Sequence, residues 1–520
     1  MKPPCDEAEI ESRTPTATCR GAQAAWVLAA TILGSSMAFV DGTVVNVALP
    51  ALQKTFGATV VGAQWVVESY GLTLAALILV GGSLGDHFGR RRMFVLGVAV
   101  FAAASVYCGF APTIGHLIAA RAVQGIGAAF LVPGSLSLIS SAFDESQRGK
   151  AIGTWSGFTA ITTAIGPVLG GWLIEHLSWR WAFFINLPLA LAVMVISIWF
   201  VPESRSGLRT RIDWLGASGA TLSLTALTFG MIESSRLGWK HPLVVAALIT
   251  GIFGLVGFVL IEARTDSAMV PLNLFRSRAF SGANLLTLFL YAAVSIFFFL
   301  FPLDLIQVQG YSTTAAGAAI LPFILLMFLL SRWSGGLVAR YGARRPLIIG
   351  PIVTSFGFLL FSVPSVGGSY WQTFFPAVLT LGLGMAISVA PLTTAVMGAV
   401  DQDRVGTASG INNAVARVAG VLAIAGLGAI MVAQFSNHLN RRLDHLAIPP
   451  DVRAELQANA IKMAALSPPE SLQPQSASAI HEAIDASFVS SFRLLMCICC
   501  GLALVSAATA WRMIPGEGSS

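Results

Sequence analysis

The chain has 520 residues, 55% of them hydrophobic and 11% charged, with a formal net charge of +6. Soluble domains carry about 25% charged residues, so this composition excludes a soluble core with a single anchor. In such a chain the positive balance reports on loop placement, not on nucleic acid as a partner.

Apolar stretches of about 20 residues recur along the chain, each long enough to cross roughly 30 Å of hydrocarbon. Hydropathy predicts fourteen spans, at 24–50, 61–84, 93–112, 115–142, 151–174, 181–201, 213–233, 242–261, 280–306, 312–336, 346–365, 371–397, 406–434 and 489–511. Before the first span lie Asp6, Glu7, Glu9 and Glu11. A secretory signal starts basic, so the first span is expected to stay uncleaved. With the N-terminus inside, cytoplasmic loops hold fourteen Lys and Arg and the short outer loops four. That is a positive-inside bias. An even span count then puts both termini in the cytoplasm, around a multi-pass protein of the cell (inner or plasma) membrane.

Three charges interrupt the early spans. Asp41 lies in the first, Glu68 in the second and Arg121 in the fourth. An arginine at a helix centre costs about 3 kcal/mol on insertion scales, so it faces a bundle interior or wet cavity and finds a partner. Asp41 and Glu68 are both candidates for that partner. At 1.5 Å per residue the three lie about 13, 10 and 9 Å from the outer ends of their spans. Buried carboxylates that trade partners are natural proton carriers, and the trio is assigned to proton coupling, Asp41 first. The alternative is a static pair that only specifies packing.

A short loop, Gly82–Arg92, follows the second span. Gly85 and Gly89 permit tight turns. Asp86 is suited to a helix start or a positive helix end, and Arg90 and Arg91 to a carboxylate or lipid phosphate. In the fifth span Gly166, Gly170 and Gly171 allow close helix approach, and Pro167 bends the helix. A second loop, Gly335–Arg345, follows the tenth span and repeats the pattern of glycines and a basic cluster. Six spans thus precede the seventh and six begin at the ninth, with two inserted between. Near the end, Asn412, Asn413 and Arg417 put polar groups into the thirteenth span. With Asn46 and Gln124 they are assigned to a substrate cavity. An outer segment, 435–488, follows, with Asp451–Leu466 as a short amphipathic helix.

These stretches carry a resemblance. Gly82–Arg92 resembles the loop between helices 2 and 3 of the major facilitator superfamily. Leu117-x-x-x-Arg121-x-x-Gln124-Gly125-x-Gly127 resembles its helix 4 motif. Gly157 with Gly166-Pro167-x-x-Gly170-Gly171 resembles the motif of its antiporters. Val40-Asp41-Gly42-Thr43-Val44-Val45-Asn46 through Pro50 resembles the helix 1 motif of its 14-helix drug–proton antiporter branch. Trp179-Arg180-Trp181, Asn186-x-Pro188 and Ala408-Ser409-Gly410-x-Asn412-Asn413 resemble further pieces of that branch. The resemblance runs in order along nearly the whole chain.

The expected fold is all-α. Residues 1–23 form a cytoplasmic tail, 24–201 the first six-helix bundle, 202–279 two inserted helices with linkers, 280–511 the second bundle and 512–520 a tail. The expected function is secondary export of small amphipathic or cationic compounds in exchange for protons, by a functional monomer. The alternatives are a narrow-range metabolite exporter and a proton-coupled importer of the same fold. No cofactor or metal is expected: the seven histidines fall in loops or near span ends, and the six cysteines have no metal spacing. No Gly-x-x-x-x-Gly-Lys-Ser/Thr loop is present for ATP. A membrane enzyme would need a catalytic cluster at membrane depth, and the sequence shows none.

Overall fold

The computed structural model describes residues 22–143, 145–205, 213–265, 270–400, 404–446, 448–469 and 472–515. The outer parts of both expected tails and linker residues 206–212, with Arg209 and Arg211, lie outside this set. Hydrocarbon offers no partner to a free peptide group, so an apolar chain crosses as helix. Fourteen helices are long and apolar enough to do so, and among the described residues no strand forms.

The first half holds α1 (Ala22–Phe56), α2 (Val60–Phe88), α3 (Arg90–Phe110), α4 (Ile114–Ala142), α5 (Glu145–His176) and α6. α6 is broken, with Trp181–Phe184 and Asn186–Phe200 flanking Ile185. Then come α7 (Trp214–Leu237) and α8 (Pro242–Glu262). The second half holds α9 (Arg278–Leu303, continued by a wide turn to Val308), α10 (Thr313–Ala318 and Leu321–Tyr341), α11 (Arg344–Phe361), α12 (Phe375–Gly398), α13 (Val405–Leu443) and α14 (Pro474–Met513).

Each half is knit by glycine contacts. Gly127 sets α4 against the Phe101 and Gly97 backbone of α3, and Gly125 sets it against the Tyr70 carbonyl of α2. Gly350, Gly357 and Gly384 do the same for α11 and α12. Small residues allow such approach, and packing of this kind drives helix association in lipid. α7 packs on both α2 and α13, and α8 packs on α7 through Gly230 and Gly251. α8 otherwise buries only Val244 and Glu262. The remaining apolar surface, Ile249, Ile252, Phe253 and Val256 among it, is exposed, as suits lipid contact.

The two basic loops fold alike. Gly89 turns the chain between α2 and α3 at φ 113°, and Gly342 turns it between α10 and α11 at φ 68°. We call the end of the molecule that carries these loops the basic end. Hydropathy misplaced both ends of the long outer segment. α13 continues to Leu443 and α14 starts at Pro474, so the segment between them is 444–473, not 435–488. Hydropathy marks only the length in hydrocarbon, whereas Ser436–Arg442 is polar yet still helical. The expected amphipathic helix is shorter, Pro450–Ala458, followed by a 3-10 turn at Ala460–Ala465.

Candidate functional site

Asp41 and Arg121 meet inside the first half. Asp41 is 0% and Arg121 1% exposed. The Arg121 Nη1 group donates to Asp41 Oδ2 and, at 2.6 Å, to Gln124 Oε1. Its Nε donates to the Val66 carbonyl of α2 at 3.1 Å. The guanidinium also lies 4.3 Å from the centre of the Tyr70 ring, a cation–π contact. Asp41 Oδ1 accepts from Gln124 Nε2 at 2.8 Å and from Asn186 Nδ2 at 3.1 Å. Both amides also donate to Ser105 Oγ, each at 2.9 Å. Four helices besides α1 thus surround one carboxylate.

The energetics explain this density of contacts. Taking a carboxylate and a guanidinium out of water costs several kcal/mol per ion. The pair survives burial only where further hydrogen bonds satisfy its remaining lone pairs and protons. Gln124, Asn186, Ser105 and the Val66 carbonyl supply them. Sequence reading named Asp41, Arg121 and Gln124. It missed Ser105 on α3 and Asn186 at the restart of α6 as members of the set. The only signal for Ser105 was polarity inside an apolar run; Asn186 also stood in the Asn186-x-Pro188 stretch, which carried a resemblance but no role.

Glu68 stands apart. It is 1% exposed, and its Oε2 has no hydrogen-bond partner. It shares a face of α2 with Gln64 and Gly71, at helical spacing. Gln64 donates to the Ile424 carbonyl of α13 at 3.0 Å, and Gly71 faces Val421. Glu68 therefore lies at the seam between the halves, and Arg121 pairs with Asp41 alone.

The residues assigned to a substrate cavity divide. Gln124 belongs to the Asp41 network. Asn46 shares a face of α1 with Phe39 and Gly42. A Cβ at Gly42 would meet nothing within 4 Å, so this face borders open space, and Asn46 Oδ1 is buried without a partner. Across from it the Arg417 guanidinium lies 5.9 Å from the Phe39 ring. Among the described residues Arg417 has no ion pair. Asn412 instead turns into the second half and donates to Thr287 Oγ1 at 2.7 Å and to Asn284 Oδ1 at 3.1 Å. Asn413 is exposed and bonds its own helix at the Ser409 carbonyl.

The basic loop is held by its own side chains and by the linker that follows α6. Asp86 pairs with Arg90 at 2.8 Å. The backbone amides of Arg91 and Arg92 donate to the Glu203 carboxylate at 3.0 and 3.3 Å. Glu203, not Asp86, thus caps the start of α3, where a negative charge complements the helix dipole. Gly82 lies against Pro133, and a Cβ at Gly89 would strike the Glu203 carboxylate at 2.8 Å.

The glycines of α5 serve two partners. Gly166 and Gly170 receive Thr43 and Val44 of α1. Gly171 faces the Thr313 backbone of α10, and Gly317 of α10 faces the Pro167 carbonyl. Gly157 lies 3.9 Å from Phe328, also of α10. Thr313 and Thr314 bond Gly171 and Glu175 at 2.9 and 2.6 Å, and Gln307 bonds Gln53 at 2.9 Å. The Thr314 amide also donates to Glu175 at 3.1 Å, and Gln64 and Ile424 add a further hydrogen bond between the halves. All lie toward the end opposite the basic loops.

Comparison with known proteins agrees with this architecture. Residues 31–424 match the family model of the Major Facilitator Superfamily. The chain is 33% identical to the multidrug resistance protein Stp of Mycobacterium tuberculosis, over 94% of this chain and 92% of that one. It is 30% identical to the tetracenomycin C resistance and export protein of Streptomyces glaucescens, over 97% and 94%. Among solved structures, a bacterial homologue of the human lysosomal transporter Spinster, inward-facing and unoccupied, superposes with a TM-score of 0.65. It is 15% identical and covers 96% of this chain and 100% of its own.

Proposed function

The chain belongs to the major facilitator superfamily, and on that premise we propose that it exports small amphipathic compounds in exchange for protons. The relatives are resistance and export proteins, which supports export. The observation that carries the proton half is the fully buried Asp41, held by Arg121, Gln124 and Asn186 beside open space at Gly42. Asp41 is the only acidic residue of α1; it turns into the first half, about 100° of helix rotation from the open face at Gly42. The basic end faces the cytoplasm under the positive-inside rule. The halves rock about the midplane, opening the space between Phe39 and Arg417 to each side in turn.

The driving force is adequate. One charge crossing 100 mV is worth about 2.3 kcal/mol, and about 1.4 kcal/mol is tenfold. A single proton therefore sustains roughly a 50-fold substrate gradient. The test is accumulation of a panel of fluorescent amphipathic compounds in cells with and without the protein. Expressing cells are expected to accumulate less of at least one, and an uncoupler should remove the difference. Equal accumulation across the panel, or higher accumulation in expressing cells, contradicts export.

A further inference from the structure

The amide nitrogen of Asn186 serves the exchange reading, but its oxygen does not. The Asn186 side chain is fully buried, at the point where α6 restarts after its break at Ile185. Its Nδ2 donates to Asp41 Oδ1 and Ser105 Oγ. Its Oδ1 is buried and has no partner. A buried acceptor left unmade costs about 1–3 kcal/mol, so an orphan oxygen beside a proton-carrying group calls for an explanation.

The explanation lies in what Asp41 needs in each state. An ionised carboxylate only accepts hydrogen bonds; a protonated one also donates. In this structure every group around Asp41 donates to it. Arg121 can do nothing else. The Gln124 carbonyl is already held by Arg121 at 2.6 Å. Ser105 Oγ already receives two amide donors. That leaves Asn186. The two ends of its amide are nearly equal in shape, and a half-turn about χ2 exchanges them. The turn would bring Oδ1 to Asp41 as an acceptor.

We propose that Asn186 is the positioning residue for the proton on Asp41: donor to the carboxylate and, after the amide turns, acceptor from the acid. No bond other than hydrogen bonds changes; the proton arrives on Asp41 and leaves from it. Gln124 cannot take this part, because Arg121 fixes its carbonyl. The titratable or charged groups that face Asp41 are Arg121 from α4, Tyr70 from α2 and Cys108 from α3. Arg417 of α13 lies near enough to Tyr70 to act on it electrostatically. α6 contributes Asn186, and α5 presents Gly166 and Gly170 to α1. The inference rests on the exchange reading above.

The experiment uses full-length protein in liposomes and compares wild type with Asn186→Ala and Asn186→Ser. Both side chains are smaller than asparagine, so neither overpacks the site. Serine can still donate and accept; alanine can do neither. The readouts are the pH profile of efflux of a fluorescent amphipathic dye and the infrared carbonyl band of protonated Asp41, identified by its loss in Asp41→Asn. Asn186→Ala is expected to move the pH of half-maximal efflux by about one unit, a tenfold change in proton affinity, upward where the lost donor to the carboxylate outweighs the lost acceptor from the acid and downward in the reverse case. Its acid carbonyl band should move to higher frequency. Asn186→Ser should lie closer to wild type in both. In wild type, acidification should also shift a side-chain amide band that both Asn186 variants lack. A wild-type profile and an unmoved carbonyl band in Asn186→Ala overturn the inference. So does a wild-type spectrum in which no side-chain amide band responds to acidification, which reads out even if the variants do not fold. If efflux instead ignores the pH gradient in wild type and survives in Asp41→Asn, the exchange reading has failed rather than the role of Asn186 alone.

Discussion

The Arg121 guanidinium is the costliest side chain in the first half, and its contacts say what its removal does. It touches the Asp41 carboxylate, the Gln124 carbonyl, the Val66 carbonyl and the face of Tyr70. Arg121→Ala strands a buried carboxylate, a change that costs about 3–5 kcal/mol. Arg121→Lys keeps the charge and loses the fork. The expected order of melting temperature in detergent is wild type, then lysine, then alanine, and dye efflux should fall in the same order. Alanine protein as stable and active as wild type would make the pair dispensable. Much of this site was legible in the sequence: an arginine in an apolar run demands an acid, and two were in reach. Which of the two pairs with Arg121 was not legible, because hydropathy gives depth and not the angle about the helix axis. In the structure that angle turns Glu68 toward α13, with Gln64 and Gly71.

Among the elements, the turn between α2 and α3 depends on one backbone. Gly89 adopts φ 113° with the Glu203 carboxylate against it. A side chain in left-handed backbone costs about 1–2 kcal/mol, and here it would also displace the cap on α3. Gly89→Ala should therefore lower the melting temperature. Gly153→Ala is the control: it is helical with nothing within 4 Å of a Cβ, and alanine favours a helix by about 1 kcal/mol. Equal melting of the two variants would contradict the role of the turn. The need for a glycine there was visible in the motif. The acid that caps α3 was not, because Glu203 lies more than a hundred residues along the chain. The crossing of α5 and α10 makes a second test. Gly171→Val would push a branched side chain into the Thr313 backbone. With spin labels on Leu177→Cys and Val363→Cys, both exposed positions, and accessible native cysteines replaced, longer distances are expected in the valine protein. An unchanged distribution would show that this crossing does not hold that end shut.

At the scale of the whole molecule, span count and repeat were legible because fourteen apolar runs and two matching loops are written in composition and spacing. The extents of α13 and α14 were not, because helix continues into polar sequence beyond hydrocarbon. Nor was the state of the molecule. Its halves are hydrogen-bonded to each other near the end opposite the basic loops. At the basic end Gly153, Gly335, Gly336 and Gly398 face open space. A molecule clamped at one end and loose at the other fits a rocking exchanger with its space turned toward the basic end. Coupling that motion to Asp41 is the central claim, and one measurement reaches it most directly. Purified protein is placed in vesicles, and movement of a fluorescent amphipathic dye against its own gradient is followed under an imposed pH gradient. Wild-type protein should move the dye uphill while the proton gradient lasts, reverse when that gradient is reversed, and lose uphill movement in Asp41→Asn, with the variant still folded in the membrane. Uphill movement by Asp41→Asn at the wild-type rate, or movement by wild type that ignores the proton gradient, would contradict the account.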